Sequence, residues 1–218
     1  MPVCVYRRKN HSMLIAPNKC GSSWIEQVAS GTVISEDYAK KLVREDTEGS
    51  LKITAIKRDP VKWYWSGYFF VERNREIFPV QPTRWTPKQH WRLSLQRKTG
   101  IHQDPDSKFW DFDFHSWVDP WSQVYGEEYG FVPPDRTVTW VDIDSIAFRT
   151  TVASFSYTPA LALKGPPVNV TDRSQKSGLS FTKEMEELII ELDDWSWRLG
   201  YDIRKSCKAF RENIVRWR

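Results

Sequence analysis

Two stretches of this 218-residue chain, Ser12 to Ser30 and Leu51 to Tyr68, constrain its fold most, because each passes from an apolar strand through a polar loop into a helix. In the first, Met13, Leu14, Ile15 and Ala16 give way to Pro17, Asn18, Lys19, Cys20 and Gly21. Ser22, Ser23 and Trp24 then open a run with helical spacing. In the second, Ile53, Ala55 and Ile56 read as a buried strand ending in Lys57, Arg58, Asp59 and Pro60, ahead of an aromatic helix. Pro60 suits a first helical turn, where its missing N–H has no partner to lose and its fixed φ is already helical. The alternation predicts an α/β chain: a central parallel sheet, helices on both faces, and ligands at the carboxyl ends of the strands.

Both loops carry the chemistry of an anion site. A strand that turns tightly into a helix aims backbone N–H groups and the positive end of the helix dipole at one spot. Lys19 adds a mobile charge, Ser22 and Ser23 add hydroxyls, and Gly21 lets the backbone approach closely. Arg58 can fork onto a phosphate with two parallel hydrogen bonds. Ser66 follows eight residues later, about two turns into a helix begun at Pro60. The first loop is not a nucleotide-triphosphatase loop, since it lacks GxxxxGK[ST] and its lysine precedes the glycine. Taken singly, each segment also reads as an ordinary capped turn with a surface ion pair. Their joint occurrence in this order favours the phosphate reading.

The segment PNKCGSSW at 17–24 resembles the loop with which sulfotransferases hold the 5'-phosphosulfate of 3'-phosphoadenosine 5'-phosphosulfate (PAPS). RDPVKWYWS at 58–66 resembles their 3'-phosphate element, an arginine followed eight residues on by a serine. The likeness is nearest to the carbohydrate-type branch. It continues more weakly through FHSWVDPWSQ, VTWVDIDSI, VNVTDRSQKS and WRLGYD, and so spans Ser12 to Asp202. It implies a P-loop-like sulfotransferase fold, one domain over 1–218, and transfer of a sulfuryl group from PAPS to a hydroxyl or amine, leaving adenosine 3',5'-bisphosphate. It also implies that no metal is needed. Lys19 is then expected at the leaving oxygen, with Cys20, Gly21, Ser22, Ser23 and Trp24 around the phosphosulfate. Arg58 and Ser66 are expected at the 3'-phosphate, and Arg173 and Lys176 in a late loop closing over the nucleotide. His115 is the expected general base, although Pro120 and Gln123 follow it at a spacing altered from the family pattern; Asp113, Glu36 and Glu72 are the alternative bases.

Between Ile77 and Asp113 periodicity fades amid prolines at 79, 82, 87 and 105. Trp85, Trp91 and Trp110, interleaved with Arg84, Lys88, His90, Arg92, Arg97 and Lys98, predict an ordered insertion presenting a basic and aromatic wall. An anionic or sugar-bearing acceptor suits such a wall, and a small-molecule acceptor stays open. Beyond it, the spacing predicts a strand at Thr137 to Val141, a helix capped by Asp144, and a helix from Thr182 with Met185, Leu188, Ile189, Leu192 and Trp195 on one face.

The net charge of +4, from 32 basic and 28 acidic residues, is too small to argue for nucleic acid as a partner. Cys4, Cys20 and Cys207 make an odd number without metal-ligand spacing, which argues for reduced thiols. No run approaches a membrane span and MPVCVYRRKNH lacks a signal-peptide core, so the expectation is a cytoplasmic protein without a membrane anchor, of bacterial or viral origin. Two other classes remain: a nucleotide-dependent phosphoryl-transfer enzyme, which predicts magnesium dependence, and a non-catalytic glycan-binding module, which predicts indifference to PAPS.

Overall fold

The computed structural model describes residues 2–29, 31–73, 118–126, 130–164, 181 and 183–215. The insertion expected at 77–113, together with Asp113, His115, Arg173 and Lys176, lies outside the described residues. The chain divides into two compact units, Met1–Arg58 with Val118–Val170 and Asp59–Trp117 with Thr171–Arg218.

The first unit is an α/β layer built on a five-stranded sheet of order β3-β1-β2-β4-β5. Its strands are β1 (Val3–Arg7), β2 (Ser12–Ala16), β3 (Val33–Ile34), β4 (Lys52–Lys57) and β5 (Val138–Asp142). Its helices are α1 (Ser22–Val28), α2 (Glu36–Glu45), α4 (Ser122–Tyr125), α5 (Ile146–Phe155) and α6 (Pro159–Lys164), while α3 (Pro60–Arg73) belongs to the second unit. β2, β4 and β5 are parallel, with Met13 opposite Ile53 and Ile53 opposite Val138.

The purely parallel sheet expected from the sequence is corrected to a mixed one. β1 reaches β2 through the 3-10 turn Arg8–Asn10 and His11, whose φ of 44° is left-handed. A connection that short can return the chain only antiparallel, whereas parallel partners need a crossover of a dozen or more residues. Val3 therefore pairs with Ala16 and Arg7 with Ser12, and β3 joins the far side of β1, again antiparallel.

Alternation along the strands fills both faces. Cys4, Met13, Ile15, Ile53 and Ala55 form one cluster with Ala39 and Val43 of α2 and Val124 of α4. The intervening Val5, Leu14 and Ile56 point to the opposite face and are equally buried. Each such aliphatic side chain contributes about 1.5–3 kcal/mol by leaving water. Ser35 caps α2 by accepting the Tyr38 N–H at 3.2 Å. The helix before Phe155 starts at Ile146 with Ser145 at its N-cap rather than Asp144, because Asp144 donates its N–H to the Asp142 carboxylate at 2.8 Å and belongs to the preceding turn.

The entry to β4 is tied by Asp46. Its carboxylate accepts the N–H groups of Ser50 (3.0 Å) and Leu51 (2.7 Å) and the Ser50 hydroxyl (2.8 Å), and it pairs with the Arg136 guanidinium. Burial alone would raise the Asp46 pKa, but the hydrogen bonds from Leu51, Ser50 and Arg136 outweigh it and hold the carboxyl well below the usual range. A depressed carboxyl stabilises the fold above its unfolded value near pH 4, and that stability is lost as pH falls towards the folded value. Asp46→Ala should therefore cost about 2–3 kcal/mol at pH 7 in urea denaturation. Its deficit should shrink below about pH 4; a deficit independent of pH would count against the carboxylate.

The second unit packs α3 (Pro60–Arg73), α7 (Lys183–Leu192) and α8 (Ile203–Val215) around Val61, Trp65, Ile189, Leu192 and Cys207. Trp65 meets Phe181 and Phe210 edge-on at 5.9 and 5.6 Å. The 3-10 turn Ser196–Leu199 stops at Gly200, whose φ of 79° favours glycine, and Asp202 then caps α8 through the Arg204 and Lys205 N–H groups. Among the described residues, no helix is long and apolar enough to cross a membrane.

Candidate functional site

The carboxyl ends of the three parallel strands, at Ala16, Lys57 and Asp142, meet at one end of the first unit's sheet. The Ile143 N–H donates to the Lys57 carbonyl at 2.9 Å, which keeps β4 and β5 together past the end of the ladder. Between β2 and α1 the chain must reverse within Pro17 to Gly21. It does so with the Cys20 N–H bonded to the Pro17 carbonyl at 3.0 Å and with two left-handed residues, Lys19 (φ 65°) and Gly21 (φ 82°).

Gly21 is favoured by its backbone, which is one that L side chains rarely adopt; an added Cβ would also lie 3.0 Å from Ile143 Cδ1, a tight contact to which this methyl would have to yield. Lys19 has no such licence. A side chain in the left-handed region costs about 1–2 kcal/mol and persists where its surroundings over-determine it.

Two side chains distant in sequence grip this turn. The Arg58 Nη1 donates to the Lys19 carbonyl at 2.7 Å, joining the end of β4 to the loop after β2. The Gln123 Oε1 accepts the Asn18 N–H at 2.8 Å. The Arg58 Nε is buried and has no hydrogen-bond partner among the described residues. A buried guanidinium donor left unpaired is costly, so this atom calls for an acceptor.

At the start of α1, Gly21 stands at the N-cap and offers no capping side chain, so the Ser22 and Ser23 N–H groups are not capped. Ser22 is half-buried and Ser23 exposed. Cys20 is fully buried. Burial pushes its thiol up to about 12; the nearby Arg58 charge pulls it partly back and Asp142 pushes it up again. Cys20 thus offers no thiolate near neutral pH and acts as a small packed residue. Trp24 is buried, its ring 5.4 Å from Phe148 and beneath the Arg149 guanidinium at 5.7 Å. Its ring faces are therefore engaged by protein.

The structure thus brings together Lys19, Cys20, Gly21, Ser22, Ser23, Trp24 and Arg58 in one unit. Ser66 lies within α3 of the second unit and is half-buried. Trp63, in the same helix, packs edge-on against Tyr64 and Trp195 at 5.1 and 5.7 Å. Of the alternative bases, Glu36 opens α2 and pairs with Lys40 at 2.7 Å, while Glu72 falls in α3. Sequence reasoning missed the grip of Gln123 on Asn18. The run Val118, Asp119, Pro120 signals a capped turn, and Asp119 does accept the Ser122 N–H at 2.8 Å, but nothing local announces a partner 105 residues away. Among the described residues, no group of three or more His, Cys, Asp or Glu side chains could hold a metal ion. No family model matches the chain, and no significant match was found among curated proteins or solved structures.

Proposed function

We propose that this chain is a PAPS-dependent sulfotransferase acting on a hydroxyl or amine, with a carbohydrate as the favoured acceptor and a small molecule as the other. The observation that carries the reading is the 2.7 Å bond from Arg58 to the Lys19 carbonyl. It unites, at adjacent parallel strand ends, the two segments whose sequences separately resemble the 5' and 3' phosphate elements of that family. The donor set also fits the nucleotide: an ammonium, a guanidinium with a buried unpaired Nε, two serine hydroxyls and the uncapped first turn of α1 are all suited to anions.

In this reading PAPS, when bound, supplies the sulfuryl group and leaves as adenosine 3',5'-bisphosphate. Lys19 sets its ammonium at the oxygen that parts from sulfur and neutralises the charge developing there. Ser22 and Ser23 orient the phosphosulfate. Arg58, joined on the sequence motif by Ser66, reads the 3'-phosphate, and Arg173 and Lys176 are assigned to the loop covering the nucleotide. His115 is assigned to take the acceptor's proton as its oxygen or nitrogen bonds to sulfur.

Calorimetric titration with adenosine 3',5'-bisphosphate, adenosine monophosphate and ATP with magnesium tests the reading. Expected is metal-independent binding of the bisphosphate, at least ten times tighter than the monophosphate because one charge-assisted phosphate contact is worth about 1.5–3 kcal/mol. Preference for magnesium ATP, or no nucleotide binding at all, would overturn it.

A further inference from the structure

Gln123 is among the most deeply buried polar side chains described, 1% exposed, on a four-residue helix. Its neighbours fix it. Asp119 holds the start of α4 through the Ser122 N–H at 2.8 Å and the Gln123 N–H at 3.0 Å. Val124 is locked into the cluster of Met13 and Ile15 on β2. The side-chain amide then has a carbonyl at one end and an N–H at the other. Its Nε2 donates to the Val118 carbonyl, and its Oε1 accepts from Asn18, so only one orientation satisfies both.

Asn18 precedes Lys19 and the Lys19 carbonyl follows it, so Gln123 and Arg58 hold the chain on either side of the Lys19 side chain. The left-handed φ of 65° at Lys19 is that of the third residue of the turn closed by the Cys20 N–H on the Pro17 carbonyl, and these two side-chain bonds brace that turn. Released from one of them, the turn can relax towards the right-handed region that lysine prefers, and a rotated Cα–Cβ bond carries the ammonium away from its place.

We infer that Gln123 is a positioning residue, which sets the direction of Lys19 by fixing the backbone before it. This rests on the sulfotransferase reading, in which Lys19 meets the 5' end of the nucleotide. The role is preorganisation: the turn is set before ligand arrives, so binding does not have to order it.

The test is a double-mutant cycle on affinity for adenosine 3',5'-bisphosphate, with thermal melting run beside it. Gln123→Met keeps the length of the side chain and removes both of its hydrogen bonds. It should weaken binding about tenfold when Lys19 is present and less than about twofold in the Lys19→Ala background, because a group acting through Lys19 has nothing left to position. Gln123→Glu, held neutral by burial at this position, keeps an acceptor for the Asn18 N–H and an O–H donor for the Val118 carbonyl and should bind within about threefold of wild type; it also serves if the methionine variant does not fold. Equal losses from Gln123→Met in both backgrounds would reduce Gln123 to a structural residue and overturn the inference. So would loss of binding by a folded Gln123→Glu protein as large as that of Gln123→Met. If wild type binds the bisphosphate and Gln123→Met binds it equally well, this inference falls alone. If wild type does not bind it, the sulfotransferase reading falls as well.

Discussion

On the sulfotransferase proposal, replacing Lys19 by alanine is expected to slow sulfuryl transfer about 10²–10³-fold, the usual cost of removing one group aimed at a developing negative charge. The backbone contributes no change in folding stability: alanine and lysine are equally disfavoured at a φ of 65°, so the substitution neither relieves nor adds strain. Lys19→Gly separates the two roles. It loses the same ammonium and the same rate, but glycine adopts the left-handed conformation freely. After about 0.5–1 kcal/mol is subtracted for the greater freedom of glycine in the unfolded chain, a net gain of about 0.5–1 kcal/mol should remain. Release of adenosine 3',5'-bisphosphate from PAPS, across a panel of glycan and phenol acceptors, measures the first effect, and urea denaturation measures the second. Opposite signs for activity and stability at one residue mark strain maintained for function. A Lys19→Gly protein less stable than wild type would show that the turn is held without strain, and a Lys19→Ala protein with normal turnover would remove the lysine from the chemistry.

The strand and helix ends that frame the candidate site were legible in the sequence because their markers are local. The apolar run before Pro17 ends β2 where the proline stands, and Pro60 opens α3 as its fixed φ demands. Ser35 stands just ahead of α2 and caps it. What escaped depends on pairing across distance. Val3 to Arg7 is not read as a strand from its residues although it is as long as β2, and its interior place in the sheet comes from β2 beside it on one side and β3 on the other. That single hairpin turns a parallel sheet into a mixed one. The left-handed state of Lys19 was equally hidden, since a lysine gives no local hint of positive φ; it belongs to the turn closed by Cys20 on Pro17, which Arg58 and Gln123 brace through bonds that sequence spacing does not reveal. Cys20 fits the reading of a small residue beside Gly21: it is wholly buried, and burial outweighs the nearby guanidinium.

Arg58→Ala should weaken PAPS binding about 100-fold or more and adenosine 5'-phosphosulfate binding about tenfold. The larger loss comes from the 3'-phosphate, since each hydrogen bond to a charged group is worth about 1.5–3 kcal/mol and a guanidinium can make two in parallel. If Arg58 did nothing else, the analogue lacking the 3'-phosphate would be indifferent to the change. The structure argues otherwise: Nη1 is already bonded to the Lys19 carbonyl, so removing the side chain also frees the turn to which the proposal assigns the 5' contact. Arg58→Lys tests how these roles divide. A lysine keeps the charge but is a point donor without the planar fork, and it cannot span the Lys19 carbonyl and a phosphate at once. It should recover less than half of the lost binding free energy for PAPS. Competition of both nucleotides against adenosine 3',5'-bisphosphate gives the two affinities for each variant. Equal losses for PAPS and adenosine 5'-phosphosulfate would take the 3'-phosphate away from Arg58 and leave it as a brace for the loop. No loss for the 5'-phosphosulfate would mean that the bond to Lys19 does not govern the turn, and Gln123 alone would then have to hold it.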